Sequence, residues 1–175
     1  MTSRQANPEL LRLASILATL QRQSVLLQDV AQRLFAEHAM FDADWLAATL
    51  ASPLGIDRME SFGAKFGRMQ DTLIAKAIPA FLRAVAEPAG SVLDNLNRAE
   101  ALGIIERALD WLDVRGLRNR LVHEYVAGAE VMLASLELAR RFVPVMQRTL
   151  AELQRRAADI PGWPPENSRP DIGGN

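Results

Sequence analysis

The spacing of leucines near the start of the chain constrains the fold more than any other feature of the sequence. Asn7, Pro8 and Glu9 are typical of a helix start, because asparagine caps the first N–H groups and proline presets φ. Apolar residues then recur every three or four positions, at Leu10, Leu13, Leu17, Leu20, Leu27 and Leu34. This period predicts one amphipathic helix to about His38, roughly 40 Å long at about 1.5 Å per residue.

Two later segments repeat this helical spacing. One contains Met59, Phe62, Phe66, Met69 and Leu73, and the other, after Gly128, contains Met132, Leu136, Ala139, Val143, Met146, Leu150 and Leu153. Asp57 can open the first segment, and Pro79 should kink it, because proline lacks an N–H group and crowds the carbonyl four residues back. Pro144 lies off the second stripe, so we expect it only to bend that helix.

Shorter helices complete the predicted bundle. The segment FDADWLAATLASP stops at Pro53, and Ser91 caps a helix that Gly103 ends. Another helix is predicted from about Ile105 to His123 or just beyond. No segment alternates with the period of a strand, so the sequence predicts an all-α fold, an up-and-down four-helix-type bundle with additional short helices.

The composition is that of one globular domain with a short tail. Of the 175 residues, 49% are hydrophobic, which is enough for a core, and we expect residues 1–158 to form the helical bundle domain. Residues 159–175 are rich in proline and glycine and are predicted to be a flexible C-terminal tail, although Trp163 could dock on the bundle.

Charge and cysteine content exclude several classes of function. The formal net charge is −1, so the chain as a whole does not attract nucleic acid or anionic lipid, and anion binding needs a local patch. The absence of cysteine excludes disulfides, thiolate metal sites and a cysteine nucleophile, and it fits a reducing cytoplasm. We see neither a secretory signal nor an apolar run long enough for a bilayer, and therefore expect a cytoplasmic protein with no membrane partner.

The segment RGLRNRLVHEYV, residues 115–126, concentrates side chains suited to phosphodiester chemistry. It holds the only tyrosine of the chain, one of its two histidines and three arginines. Neutral histidine can take a proton from a ribose 2′-hydroxyl or return one to the leaving oxygen, and arginine can hold phosphate oxygens as charge builds up. Arg115 and Arg120 are candidates for RNA-phosphate contacts. This scheme needs no cofactor and no metal ion, and the positions around His123 offer no metal ligands.

A plainer interpretation of the same segment stays open. If the segment is helical, Trp111, Val114, Leu117 and Leu121 face the core, and the histidine and tyrosine are ordinary boundary residues beside a solvated arginine face. Spacing alone favours that interpretation. Elsewhere, Asp42 and Asp44 are predicted to be capping acids, His38 a helix-end residue, and Arg140, Arg141, Arg155 and Arg156 either solubilising surface or an extended RNA track.

The octapeptide RNRLVHEY resembles the R-x4-H-x-Y signature of HEPN domains (higher eukaryotes and prokaryotes nucleotide-binding), in which a polar residue often follows the arginine. The likeness is to the HepT toxins of bacterial HEPN/MNT toxin–antitoxin pairs. It covers residues from about 8 to 155, and the helical layout, the length and the late position of the motif agree with it. Its specific part is the octapeptide.

This resemblance implies a role for each residue of the motif. Arg118 and His123 would be the catalytic pair of a metal-independent endoribonuclease, with Asn119 in support. Such toxins belong to type VII-like systems and act as homodimers in which two motifs face one cleft. Tyr125 would be AMPylated by the cognate MNT-type nucleotidyltransferase antitoxin, which adds bulk and negative phosphate beside Arg118.

Two other functions remain possible from the sequence. The chain could be a non-catalytic helical subunit that uses the same cleft to bind a nucleotide or a nucleotidyltransferase. It could also be a structural bundle with no site. Loss of RNA cleavage in a His123→Ala variant would separate the nuclease from both.

Overall fold

The structure is a computed structural model, and it describes residues 7–35, 42–117, 120–121 and 128–165. Every regular element within these residues is helical, so the prediction of an all-α fold is confirmed. The elements are α1 (Pro8–Phe35), α2 (Ala43–Ala51), α3 (Pro53–Thr72), a π-helical turn (Leu73–Ala77), α4 (Ile78–Ala84), α5 (Val92–Ala101), α6 (Ala108–Arg115) and α7 (Ala129–Ala158).

The long helices α1, α3 and α7 form the centre of the fold. Hydrogen bonds join Gln28 to Gln147 and Gln21 to Gln154, so α1 and α7 run antiparallel. The rings of Phe35 and Phe62 meet edge to face with their centroids 5.0 Å apart, which places the end of α1 beside α3. The bundle therefore buries the apolar stripes predicted from the sequence against one another.

Helix α1 matches the leucine pattern. The N–H group of Glu9 donates to the side chain of Asn7 at 3.0 Å, as expected of a capping asparagine. All six leucines of the predicted stripe are buried: Leu10, Leu13, Leu17, Leu20, Leu27 and Leu34. The described part of the helix ends at Phe35, and the predicted end at His38 lies outside the described residues.

The start of α3 differs from the prediction. The helix begins at Pro53, not at Asp57, because the side chain of Ser52 accepts the N–H group of Gly55 and Pro53 occupies the first turn. Proline is favoured there since its missing N–H would have no partner anyway. The same residue that was predicted to stop α2 thus opens the next helix.

Pro79 is accommodated by a widened turn. In an α-helix its ring would crowd the carbonyl four residues back, and that position lies within the π-helical turn Leu73–Ala77. The N–H group of Ile78 donates to the carbonyl oxygen of Leu73, five residues earlier. The chain can therefore continue into α4 with Ile78 and Pro79 buried.

Two local predictions around α5 are confirmed. Ser91 and Asp94 form a reciprocal capping box at its start. Gly103 follows its end with φ of 70°, a conformation that favours glycine.

The first part of the predicted C-terminal tail packs on the bundle. Ile160 and Trp163 are half-buried against the core, and Pro165 is buried. Gly162 lies close to Leu10, so this segment covers the end of the bundle where α1 begins. Residues 166–175 lie outside the described residues.

Helices suited to crossing a bilayer are absent from the described ranges, since none is both long enough and apolar enough.

Candidate functional site

The structure describes the frame of the predicted site but not its centre. Outside the described residues lie Arg118, Asn119, His123 and Tyr125. The frame consists of the end of α6, residues 120–121 and the start of α7. Arg115 and Arg120, the two predicted RNA contacts, belong to it.

The helix that leads into the motif is shorter than predicted. It begins at Ala108, not Ile105, where the N–H group of Ala108 donates to the carboxylate of Glu100 at 2.7 Å. It ends at Arg115 with Gly116 as its C-cap, so the predicted continuous helix to His123 is interrupted. The chain is helical again at Leu117, Arg120 and Leu121, and the N–H group of Arg120 donates to the carbonyl oxygen of Gly116 at 3.4 Å.

The predicted core side of this segment is confirmed. Trp111, Val114, Leu117 and Leu121 are all buried. The ring of Trp111 meets Phe142 of α7 edge to face, with the centroids 5.0 Å apart. These apolar side chains hold α6 and both sides of Arg118–Asn119 against the bundle.

The two arginines of the frame differ in exposure. Arg115 is exposed in the last turn of α6, where a cation also interacts favourably with the helix dipole. Arg120 is half-buried, and its Nη1 lies close to Gly116. Within the described ranges, neither arginine forms an ion pair with another described residue.

Gly128 ends the motif segment and caps α7. Its φ of 97° lies in the region that favours glycine, so a side chain here would strain the backbone. Beside it, a half-open apolar cavity of about 170 Å³ lies between α2 and the start of α7, and its lining includes the buried Leu46 and Met132. The motif segment therefore returns to the bundle next to α2, a neighbour that the sequence did not predict.

The outer face of α7 is apolar near the motif. Val131, Ala134 and Leu138 are exposed and follow helical spacing, so they share one side of the helix. We refer to these three residues as the apolar strip. On α6, which packs against α7 through Trp111, Leu109 is also exposed.

Farther along α7, two glutamates hold pairs of arginines. The carboxylate of Glu137 accepts two hydrogen bonds from Arg140, at 2.8 and 2.9 Å, and one from Arg141 at 2.6 Å. These bonds, those of Arg140 above all, lower the pKa of Glu137 to about 2. Glu137 thus stays ionised and orients both guanidinium groups.

Glu152 repeats this arrangement about 22 Å farther along the helix axis. It accepts two hydrogen bonds from Arg155, at 2.9 and 2.7 Å, and one from Arg156 at 2.6 Å. The bonds from Arg155, followed by those from Arg156, lower the pKa of Glu152 to about 2. Sequence reasoning considered the arginines but missed the glutamates, although ELARR at 137–141 and ELQRR at 152–156 repeat one pattern.

The remaining candidates have structural roles. Asp42 caps α2 by accepting the N–H group of Trp45 at 2.8 Å, as predicted. Asp44 lies in the first turn, where an acid interacts favourably with the helix dipole. His38 lies outside the described residues. The described part of the chain contains no group of three or more side chains suited to a metal ion.

Comparison of the chain with protein-family models, with curated proteins and with solved structures gave no match in any of the three.

Proposed function

We propose that the chain is a HEPN-type toxin: a metal-independent endoribonuclease of the cytoplasm, active as a homodimer and neutralised by an MNT-type nucleotidyltransferase. The observation that carries the proposal is the octapeptide RNRLVHEY, in which arginine, histidine and tyrosine have the spacing of the family signature. The all-helical fold supports it, and the proposal extends to a HEPN-like arrangement of the bundle.

The proposed reaction is transfer within one RNA strand. His123 takes the proton of a ribose 2′-hydroxyl, and the 2′-oxygen attacks the adjacent phosphorus while the bond to the 5′-oxygen breaks. A protonated histidine returns a proton to that leaving oxygen, so the products are a cyclic phosphate and a 5′-hydroxyl. Arg118 holds the phosphate oxygens as negative charge builds up, and Asn119 orients the histidine.

A dimer supplies what one chain lacks. The reaction needs a proton acceptor and a proton donor, and two motifs facing one cleft provide two histidines. The apolar strip supports an interface beside the motif, since exposed apolar side chains on one helix face are typical of protein contact surfaces. Two copies of Arg115 and Arg120 would also concentrate positive charge in a protein whose net charge is −1.

Regulation is proposed to act at Tyr125. Transfer of AMP from ATP to its hydroxyl forms a phosphodiester, with loss of the phenolic proton and release of pyrophosphate, and places a negative charge two residues from His123. That charge competes with the RNA phosphate for Arg118, so the nuclease stops without refolding.

The test is RNA cleavage in excess chelator by the purified chain, beside His123→Ala. His38→Ala is the matched control because these are the only two histidines. We expect cleavage by the wild type and by His38→Ala, and loss of it in His123→Ala. Equal cleavage by all three, or none by the wild type, would contradict the nuclease and favour the non-catalytic binding subunit.

Modification is tested separately by mass. The chain is co-expressed with a cognate nucleotidyltransferase, and we expect added mass in whole AMP units that disappears in Tyr125→Phe. AMP on another residue, or an unmodified chain beside an active transferase, would contradict the role of Tyr125.

A further inference from the structure

The arginines of α7 are concentrated in its second half. From Ala129 to Ala139 the helix has two glutamates and no basic residue, whereas from Arg140 to Ala158 it has five arginines and one glutamate. The second half is thus a local positive region in a chain with net charge −1.

Three of these arginines form a regular row. Arg141, Arg148 and Arg155 are seven residues apart, so successive side chains are about 10.5 Å apart along the axis and turn by only about 20°. Their side chains are exposed by 73%, 60% and 61%, respectively. We refer to these three residues as the arginine ridge.

The carboxylates of the two clusters lie beneath the guanidinium groups. Glu137 is 27% exposed and Glu152 26%, far less than Arg141 and Arg155 above them. Because one carboxylate serves two arginines, each cluster keeps a net positive charge. The glutamates therefore orient the arginines while leaving donors outward, which lowers the entropy lost when an anion binds.

The other acids near the ridge form looser pairs. Glu106 lies 3.7 Å from Arg148, and Asp159 lies 3.8 Å from Arg155, both highly exposed. Exposed pairs of this kind contribute little to stability, so a phosphate can replace the carboxylate at little cost.

The surroundings of the ridge favour a polyanion over a protein partner. Among the described residues of α7, no large hydrophobic side chain is exposed beyond Leu138. Protein interfaces are anchored by buried apolar and aromatic side chains, which this face does not offer. Regularly spaced charges suit a chain of phosphates instead.

We propose that the arginine ridge binds the phosphate backbone of single-stranded RNA outside the catalytic cleft, so that α7 extends the substrate site along its axis. This inference rests on the proposed function, because RNA is the ligand that the function supplies. Bound phosphates would lie along about 21 Å of helix, the distance from Arg141 to Arg155.

The test measures RNA binding by the full chain in the His123→Ala background, so that the probe is not cut. The probe is a fluorescein-labelled oligouridylate, followed by anisotropy at several KCl concentrations. The ridge variant combines Arg141→Gln, Arg148→Gln and Arg155→Gln. The control combines Arg12→Gln, Arg22→Gln and Arg33→Gln on the exposed side of α1, which removes the same charge. Circular dichroism checks that both variants keep the helical fold.

We expect the slope of log affinity against log salt to become less steep by about 2 in the ridge variant, since each lost phosphate contact accounts for about 0.7. Extrapolated from 1 M salt, this makes binding about 100-fold weaker at about 0.1 M. The control variant should keep the wild-type slope. An unchanged ridge variant, or an equal loss in the control, would overturn the inference.

Two further outcomes distinguish this inference from the nuclease proposal. If the wild type does not cut RNA but only the ridge variant loses RNA binding, the ridge proposal is supported and the nuclease proposal is contradicted. If the wild type cuts RNA and the ridge variant binds the RNA probe as tightly as the control does, the nuclease proposal is supported and the ridge proposal is contradicted. Displacement of the probe by polyglutamate as effectively as by unlabelled RNA would overturn the ridge in favour of an acidic protein ligand.

Discussion

The two halves of α7 share one buried seam but differ on their outer face. The seam runs without a break from Met132 to Ala157, and Pro144 lies outside it on the exposed side. Outward, the first half offers the apolar strip beside the motif, and the second half offers the arginine ridge. Burial of the apolar seam stabilises the whole segment as a helix. The outer face can therefore differ in composition, with apolar residues near the motif and arginines far from it.

Near the motif, the arginine proposed to be catalytic and the exposed arginine of the frame should differ in their kinetic effects. Arg118→Ala should lower kcat by on the order of 10²–10³, because the lost charge stabilises the transition state. Arg115→Ala, which removes an exposed guanidinium from the frame, should raise KM by less than about tenfold and leave kcat unchanged. Single-turnover and steady-state RNA cleavage give both constants. A fall in kcat for Arg115→Ala equal to that for Arg118→Ala would erase the distinction between catalytic and binding arginines.

The apolar strip should control assembly. Leu138→Glu places a charge within the proposed interface, where it would be desolvated without a partner, and should weaken dimerisation about tenfold or more. Analytical ultracentrifugation measures the association. Cleavage by the variant should fall at low protein concentration and recover at high concentration, because each cleft needs two chains.

Leu26→Glu is the matched control for that experiment. Leu26 is exposed on α1, away from α7's outer face, so its replacement should leave dimerisation unchanged. If Leu138→Glu dimerises as strongly as Leu26→Glu, the apolar strip is not part of the dimer interface.

The fold was largely predictable because the apolar period depends on burial alone. Every leucine of the α1 stripe is buried, and the stripes of α3 and α7 are buried too. The errors lie where a single contact decides a boundary. Ser52 and Pro53 open α3 where Asp57 was expected, and the carboxylate of Glu100 starts α6 at Ala108 from a different helix. The contact between Glu100 and Ala108 joins two different helices, and a helical sequence pattern does not reveal such contacts.

The site was predictable only in part. The motif states which chemical groups are close together in sequence, and Arg115 is exposed as an RNA contact requires. The cavity between α2 and the start of α7 could not be foreseen, because it depends on how two helices far apart in the sequence pack. The role of Glu137 and Glu152 could have been found, since both precede their arginine pairs by three and four positions, the spacing of helical ion pairs.

The smallest predicted effect concerns these two glutamates, on which the arginine ridge depends. Their pKa values are lowered to about 2 by the bound arginines, from 4.5. A carboxyl group with a lowered pKa stabilises the folded state above its unfolded pKa, and this stabilisation is lost as pH falls from about 4.5 towards 2. The pairs are at the surface and screened, so each contributes less than about 1 kcal/mol.

Replacement of both groups, Glu137→Gln with Glu152→Gln, should therefore lower the free energy of unfolding at pH 7, with a deficit that shrinks between pH 4.5 and 2. Urea unfolding followed by circular dichroism measures this change, and Glu60→Gln, on the exposed face of α3, is the control.

The double variant of Glu137 and Glu152 also distinguishes two roles of these carboxylates in RNA binding. If they only neutralise the arginines, their removal should strengthen RNA binding, because two negative charges are lost. If they orient the ridge, the gain in charge is offset by the entropy of freed arginine side chains, and affinity should change by less than about threefold. If the loss in free energy of unfolding did not depend on pH, the glutamates would stabilise the helix by packing. They would then not hold the arginines of the ridge through ionic hydrogen bonds.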